Sequence, residues 1–151
     1  MAHTVTDIAN YLIWRVNSDT ESGDNISNLK LQKLVYYAQG FHLAWYGKPL
    51  FPEEIRSWSH GPVVYELYNS YRSYGSEAIP TPEDYDPSHL DDQTRELLEE
   101  VYNVYGQYSA WGLRNLTHEE PPWKDTPRNE PIPHEVMRSY FADSLTVDPV
   151  G

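Results

Sequence analysis

The sequence predicts a mainly α-helical, compact single-domain fold around one central buried helix, with a short β-hairpin near residues 49–60. Three observations predict it. Residues 27–46 carry apolar side chains at helical spacing on two nearly opposite sides, which marks a helix enclosed by others. Several further stretches show a single apolar stripe of helical period. The 151 residues contain no internal repeat and no linker, and that length fits one domain with a real core.

A first helix is expected from about residue 6 to residue 16, capped by Thr4 or Thr6 with Asp7 at its positive end. Ile8, Leu12 and Val16 form its stripe, with Tyr11 and Ile13 beside it, and "NSDTESGDN" follows as a polar loop. The second helix runs from the cap Ser27 to Tyr46. Leu31, Leu34, Val35, Ala38, Phe41, His42 and Trp45 share one face, and Leu29, Tyr36 and Leu43 form a second stripe. That leaves a narrow strip around Lys30, Lys33, Tyr37 and Ala44 for solvent. Gly40 lies near the second stripe, where it permits close approach of another helix. Gly47 ends the helix.

"PLFPEEIRSWS" reads as a short strand or hairpin, and Gly61-Pro62 as the opening of a third helix, since proline at the first helical position loses no hydrogen bond. Val64, Leu67, Tyr68, Tyr71 and Tyr74 share its face, and Gly75 stops it. After a Pro-rich connection, a fourth helix spans about 92–105 and a short fifth fits "SAWGLRNLT", with Ser109 as cap and Leu113 and Leu116 inward. "HEEPPWKDTPRNEPIP" is too rich in proline for regular structure. A last helix starts near Pro133 and uses Val136, Met137, Tyr140 and Phe141.

Composition narrows the function classes. A net charge of −12, with 11 Lys and Arg and no basic run, disfavours nucleic-acid binding and would attract a basic partner. The absence of Cys excludes disulfides, thiolate catalysis and Cys-based zinc sites. No window approaches a membrane span, and the N-terminus lacks the pattern of a secretory signal, so a cytoplasmic location is expected. Thirteen Tyr and five Trp lean toward surfaces that contact something, because such rings combine apolar area with a polar handle.

From Leu29 to Tyr71 the chain reads "LKLQKLVYYAQGFHLAWYGKPLFPEEIRSWSHGPVVYELYNSY". This stretch resembles the signature of the Panacea domain, the SocA-like antitoxin family, which also occurs near phage genes. Leu31, Lys33, Leu34 and Tyr36 match its helix. Gly47, Pro49, Leu50 and Phe51 match its turn, and Trp58, Gly61, Pro62 and Val63 match the following segment. Its Leu-Thr-His…Pro-Trp element is matched by Leu116, Thr117, His118, Pro122 and Trp123. The resemblance implies a domain over residues 4–145; the closing "TVDPVG", residues 146–151, reads as a flexible tail. It also implies pairing with a cognate protein toxin, as the antitoxin of a type II toxin–antitoxin system acting by direct protein contact. One branch of the family instead delivers its toxin to a Clp-type protease, so a protease partner and a proteolytic adaptor are the alternative. The resemblance carries over no catalytic residue.

Several residues invite chemistry. His60, ahead of Gly61-Pro62, sits either at an anion-attracting helix N-terminus or at a structural corner where it bonds to backbone. His118 in "LTHEEPPW" lacks the second His that a helical zinc motif needs, so no metal and no cofactor are expected. Thr117 and His118 are expected to bond to backbone and fix the Pro-rich loop, while Trp123 plugs a pocket. Lys33 reads as a surface lysine, or as the partner of Glu119 or Asp125. His42 reads as a satisfied core histidine. A small hydrolase-like enzyme using His60, His118 and Lys33 is a further alternative; a DNA-binding autorepressor is another. Tyr46, Trp58, His60, Tyr65, Tyr68, Tyr71 and Tyr74 are the candidate partner-binding residues around a groove near the 47–62 turn, framed by Lys33, Gly61, Pro62, Thr117, His118 and Trp123.

Overall fold

The computed structural model describes residues 3–19 and 26–144. Helix α1 (Val5–Ser18) begins at a capping box: the Thr4 hydroxyl accepts from the Asp7 amide, and the Asp7 carboxylate accepts from the Thr4 amide. The helix is a residue or two longer at each end than its apolar stripe suggested. Helix α2 (Asn28–Tyr46) starts at Ser27, whose side chain accepts from the Lys30 amide, and stops at Gly47, where φ is +73°.

Every residue of α2 from Lys30 through Leu43 is buried. The expected solvent strip at Lys30, Lys33 and Tyr37 does not exist. Its polar side chains serve instead as anchors for the segments wrapped around the helix. The Lys30 ammonium donates to the Gly106 carbonyl at 2.6 Å, and Gln39 bonds both the Phe51 carbonyl (2.9 Å) and the Leu50 amide (2.7 Å). Gln32 accepts from the Val64 amide at 2.9 Å. Each bond satisfies a backbone group that would cost about 1–3 kcal/mol if buried alone. Hydrophobic periodicity cannot register such residues, because they are buried for their polarity.

Strand β1 (Arg56–Trp58) pairs antiparallel with β2 (Gly61–Val63), with Ser57 opposite Pro62. The hairpin therefore lies a few residues later than predicted. Gly61-Pro62 does not start a helix. Gly61 has φ +112°, and a residue before proline is steered away from the helical region in any case. The outer edge of β1 is bonded as well: the Ser57 amide donates to the Glu130 carbonyl and the Asn129 amide to the Ser57 carbonyl. Helix α3 (Tyr65–Tyr71) then begins one turn later, at Val64, and runs through a 3-10 turn at Arg72–Tyr74 to Gly75.

Helix α4 (Asp92–Tyr105) has the expected bounds and is capped by Asp91, and α5 (Ala110–His118) is capped by Ser109 as expected. The Pro-rich segment after α5 contains one helical turn, α6 (Pro121–Lys124), which the proline content had argued against. Its prolines occupy the first helical positions, where no amide is missed. Helix α7 (His134–Ser144) packs along α2, and Phe141 sits so close to Gly40 that a methyl group there would overlap its ring. The described residues thus form seven α-helices and one two-stranded hairpin around α2, the mainly α architecture that was expected. No helix among them is long and apolar enough to cross a membrane. The expected tail lies outside the described residues.

Candidate functional site

A groove of about 540 Å³ opens between the N-terminal turn of α2, the hairpin, α3 and the start of α5. Asn28, Leu29 and Gln32 form its floor, Trp58 and His60 one wall, Tyr68 and Trp111 the others. Trp58 packs edge-on against Tyr68, with ring centroids 5.1 Å apart, and Tyr65 lies tilted against it at 6.1 Å. Trp111 is 53% exposed and Tyr65 50%, which are large apolar areas to leave in water. A second concavity of the same volume lies beside α4, but Asp92, Glu96, Glu99 and Glu100 line it, so it has no comparable apolar wall.

The groove rests on a rigid frame. The Lys33 side chain is fully enclosed, and its ammonium donates to the Pro62 carbonyl at 3.1 Å. Burial first, and the charge of Arg114 second, bring this ammonium down to about 7. Lys33 is therefore neither a surface lysine nor the partner of Glu119 or Asp125. Gly61 passes directly over it: a Cβ there would lie 2.7 Å from Lys33 Cε and 2.8 Å from Thr117 Oγ1. Thr117 donates to the Arg114 carbonyl at 2.8 Å. The Trp123 indole N–H donates to the Trp58 carbonyl at 2.7 Å, so the loop after α5 is tied to the hairpin. His118 does not bond to backbone as expected. It stacks flat on Trp123 at 3.8 Å, and its Nε2 is buried without a hydrogen-bond partner.

Of the candidate partner-binding residues, Trp58, His60 and Tyr68 line the groove and Tyr65 flanks it. Tyr71 and Tyr74 pack against each other and the core, and Tyr46 stands at the far end of α2 against His42. His42 is satisfied by the Lys48 carbonyl at 2.6 Å. His60 occupies the hairpin turn and precedes a strand, not a helix; it faces Trp111, in the first turn of α5, at 5.9 Å. Sequence reading missed Trp111 as a groove residue. The signal was present: with Leu113 and Leu116 turned inward on a short helix, Trp111 had to point out. Arg114 and Arg128 were missed too, although the i, i+3 spacing of Trp111 and Arg114 on the predicted helix was a signal for the first; Arg128 reaches Trp123 only through the loop after α6.

Lys33, His60 and His118 do converge. The imidazolium of His118 is disfavoured by burial and then by the charges of Arg114, Lys33, Arg128 and His60. Lys33 donates to the Pro62 carbonyl and His118 Nε2 has no partner, so the nucleophile–base contact of covalent catalysis is not formed between them. Among the described residues no three His, Asp or Glu side chains are grouped to hold a metal.

The family model described as "Antitoxin SocA-like, Panacea domain" matches residues 31–124, which run from the first turn of α2 through the hairpin and the groove to α6. Antitoxin SocA of Caulobacter vibrioides (strain NA1000 / CB15N) is 41% identical over 54 residues, 36% of this chain. The chain spans 29% of the length of that curated relative. No solved structure matches the chain.

Proposed function

The chain belongs to the family of SocA-like antitoxins with a Panacea domain, and on that premise we propose that it neutralises a cognate protein toxin by direct contact, as the antitoxin of a type II pair acting in the cytoplasm. The observation that carries the reading is the groove walled by Trp58, Tyr68 and Trp111 and flanked by Tyr65. Rigid aromatic rings supply contact area at little entropic cost and recur where binding energy is concentrated. The frame beneath, pinned by Lys33, Gly61 and Trp123, holds those rings in place before the partner arrives, which lowers the ordering cost of docking. The net charge of −12 favours fast encounter with a basic toxin.

The test uses the protein encoded by the adjacent reading frame. Co-expression should restore growth, the two proteins should co-purify, and toxin activity should fall to zero at one equivalent of this chain. A shortened toxin lifetime on co-expression would instead show delivery to a protease. Inactivation of many toxin molecules by one copy would show turnover, and either result would replace the stoichiometric reading.

A further inference from the structure

The charges of this chain are unevenly placed. Four carboxylates, Asp92, Glu96, Glu99 and Glu100, line the concavity beside α4. None lines the aromatic groove, although the chain carries 23 Asp and Glu. The one charged residue in the groove's lining is Arg72, in the 3-10 turn after α3, and His60 adds an imidazole from the hairpin turn. The groove is thus a neutral-to-basic opening in an acidic molecule.

Arg72 also stands apart from the other arginines. Arg15, Arg56, Arg95 and Arg138 each meet a carboxylate, and Arg114 and Arg128 lie over the Trp111 and Trp123 indoles. The Arg72 guanidinium is exposed, and among the described residues it has no ion pair, hydrogen bond or ring contact. The amides of the floor, by contrast, are engaged in the frame. Gln32 donates to the Asn28 amide oxygen at 3.0 Å and accepts from the Val64 amide, and Asn28 donates to the Tyr68 carbonyl at 3.1 Å. What the groove offers a visitor is therefore apolar wall from Leu29, Trp58, Tyr68 and Trp111, and the donors of one unpaired guanidinium.

We propose, resting on the reading of this groove as the docking site, that it takes a partner segment in which a large aliphatic or aromatic side chain stands beside an Asp or Glu. The apolar side chain fills the space between Trp58, Tyr68 and Trp111, and the carboxylate pairs with Arg72. A carboxylate matches a planar guanidinium through two parallel hydrogen bonds, and the pair strengthens as the apolar walls shed water. A lysine or arginine in the same place meets Arg72 as a like charge and finds the floor's amide oxygens already engaged. A toxin that is basic overall is still drawn in by carboxylates outside the groove, so the partner as a whole and the segment it docks carry opposite signs.

The probe is a phage-displayed library of random peptides, selected on the full chain. Selected peptides should share a Leu, Ile, Phe, Trp or Tyr beside an Asp or Glu. The tightest of them should bind roughly tenfold more weakly to Arg72→Gln and roughly a hundredfold more weakly to Arg72→Glu, and should lose binding to Trp111→Ala. Arg138→Gln removes the same charge near Gly47, at the other end of α2, and should bind as wild type. Arg72 is exposed, so its variants should keep the wild-type denaturation midpoint. An empty selection, peptides with Lys or Arg beside the apolar residue, or equal affinity for wild type and Arg72→Glu would overturn the proposal. The docking reading is judged separately, by competition with the adjacent-frame protein. If that protein fails to displace an acidic peptide of the expected kind, the toxin docks elsewhere and the groove's preference stands. If it displaces a basic peptide, the docking reading stands and the proposal falls.

Discussion

Glu120 and Lys33 are both enclosed around α2, and the fold treats them differently. Glu120 accepts from the Tyr36 and Tyr37 hydroxyls at 3.0 and 2.8 Å, within a shell of rings that includes Tyr105 and Phe141. Both its oxygens are bonded, and the cluster joins α2, α4, α6 and α7. Lys33 has a single carbonyl as partner, feels the charge of Arg114, and underlies an exposed groove. One buried ion is closed off by its own hydroxyl donors. The other belongs to a region left electropositive and open on one side. The contrast sets a carboxylate whose oxygens are both bonded against a lysine region where Arg114 Nε and His118 Nε2 are buried without partners.

The largest expected effect breaks the frame on the Lys33 side. Gly61→Ala forces a side chain into the φ +112° conformation and against Lys33 and Thr117. Strain and overpacking together should cost about 2–5 kcal/mol, read as the midpoint of chemical denaturation. A loss below about 1 kcal/mol would mean that the hairpin yields and the frame is not rigid.

Next comes the closed side. Glu120→Ala leaves two buried tyrosine hydroxyls without an acceptor and should cost about 2–4 kcal/mol, whereas Glu120→Gln keeps an acceptor and should recover most of that. Equal losses in the two variants would show that packing, and not the hydroxyl bonds, holds this half together.

A gentler perturbation is pH. Burial raises Glu120 from 4.5 to about 7, so its contribution is fully present below the unfolded value and is lost as pH climbs toward about 7. Lys33 is lowered from 10.5 to about 7, so its penalty is full below that value and is relieved as pH rises toward 10.5. Together they place a dip in stability near neutrality. Glu120→Gln should flatten the acid arm of the denaturation profile and Lys33→Met the alkaline arm. If each variant runs parallel to wild type across both arms, the two groups are not titrating as buried ions.

The helices were legible because their ends are written locally: Ser27, Asp91 and Ser109 cap them, and Gly47 and Gly75 stop them. Gly61-Pro62 was misread because a helix start and a strand both tolerate it. The choice is made at long range, where Gln32 takes the Val64 amide and residues 129–130 take the other edge of β1. The burial of Lys33 was invisible for a related reason, since a lysine in sequence does not announce a carbonyl 29 positions away. Trp58, His60 and Tyr68 stood out through local aromatic density. The guanidinium of Arg128 over Trp123 did not, because the Pro-rich loop that places it carries no periodic signal.

The central claim is that the aromatic groove is where the partner docks. Its most direct test is the affinity of the adjacent-frame protein for the double variant Tyr65→Ala/Trp111→Ala, measured by calorimetry beside wild type. Both side chains are about half exposed, so folding stability should change by less than about 1 kcal/mol. The account predicts affinity weakened by about a hundredfold and loss of toxin rescue in cells. Wild-type affinity in that variant, with rescue intact, would contradict it.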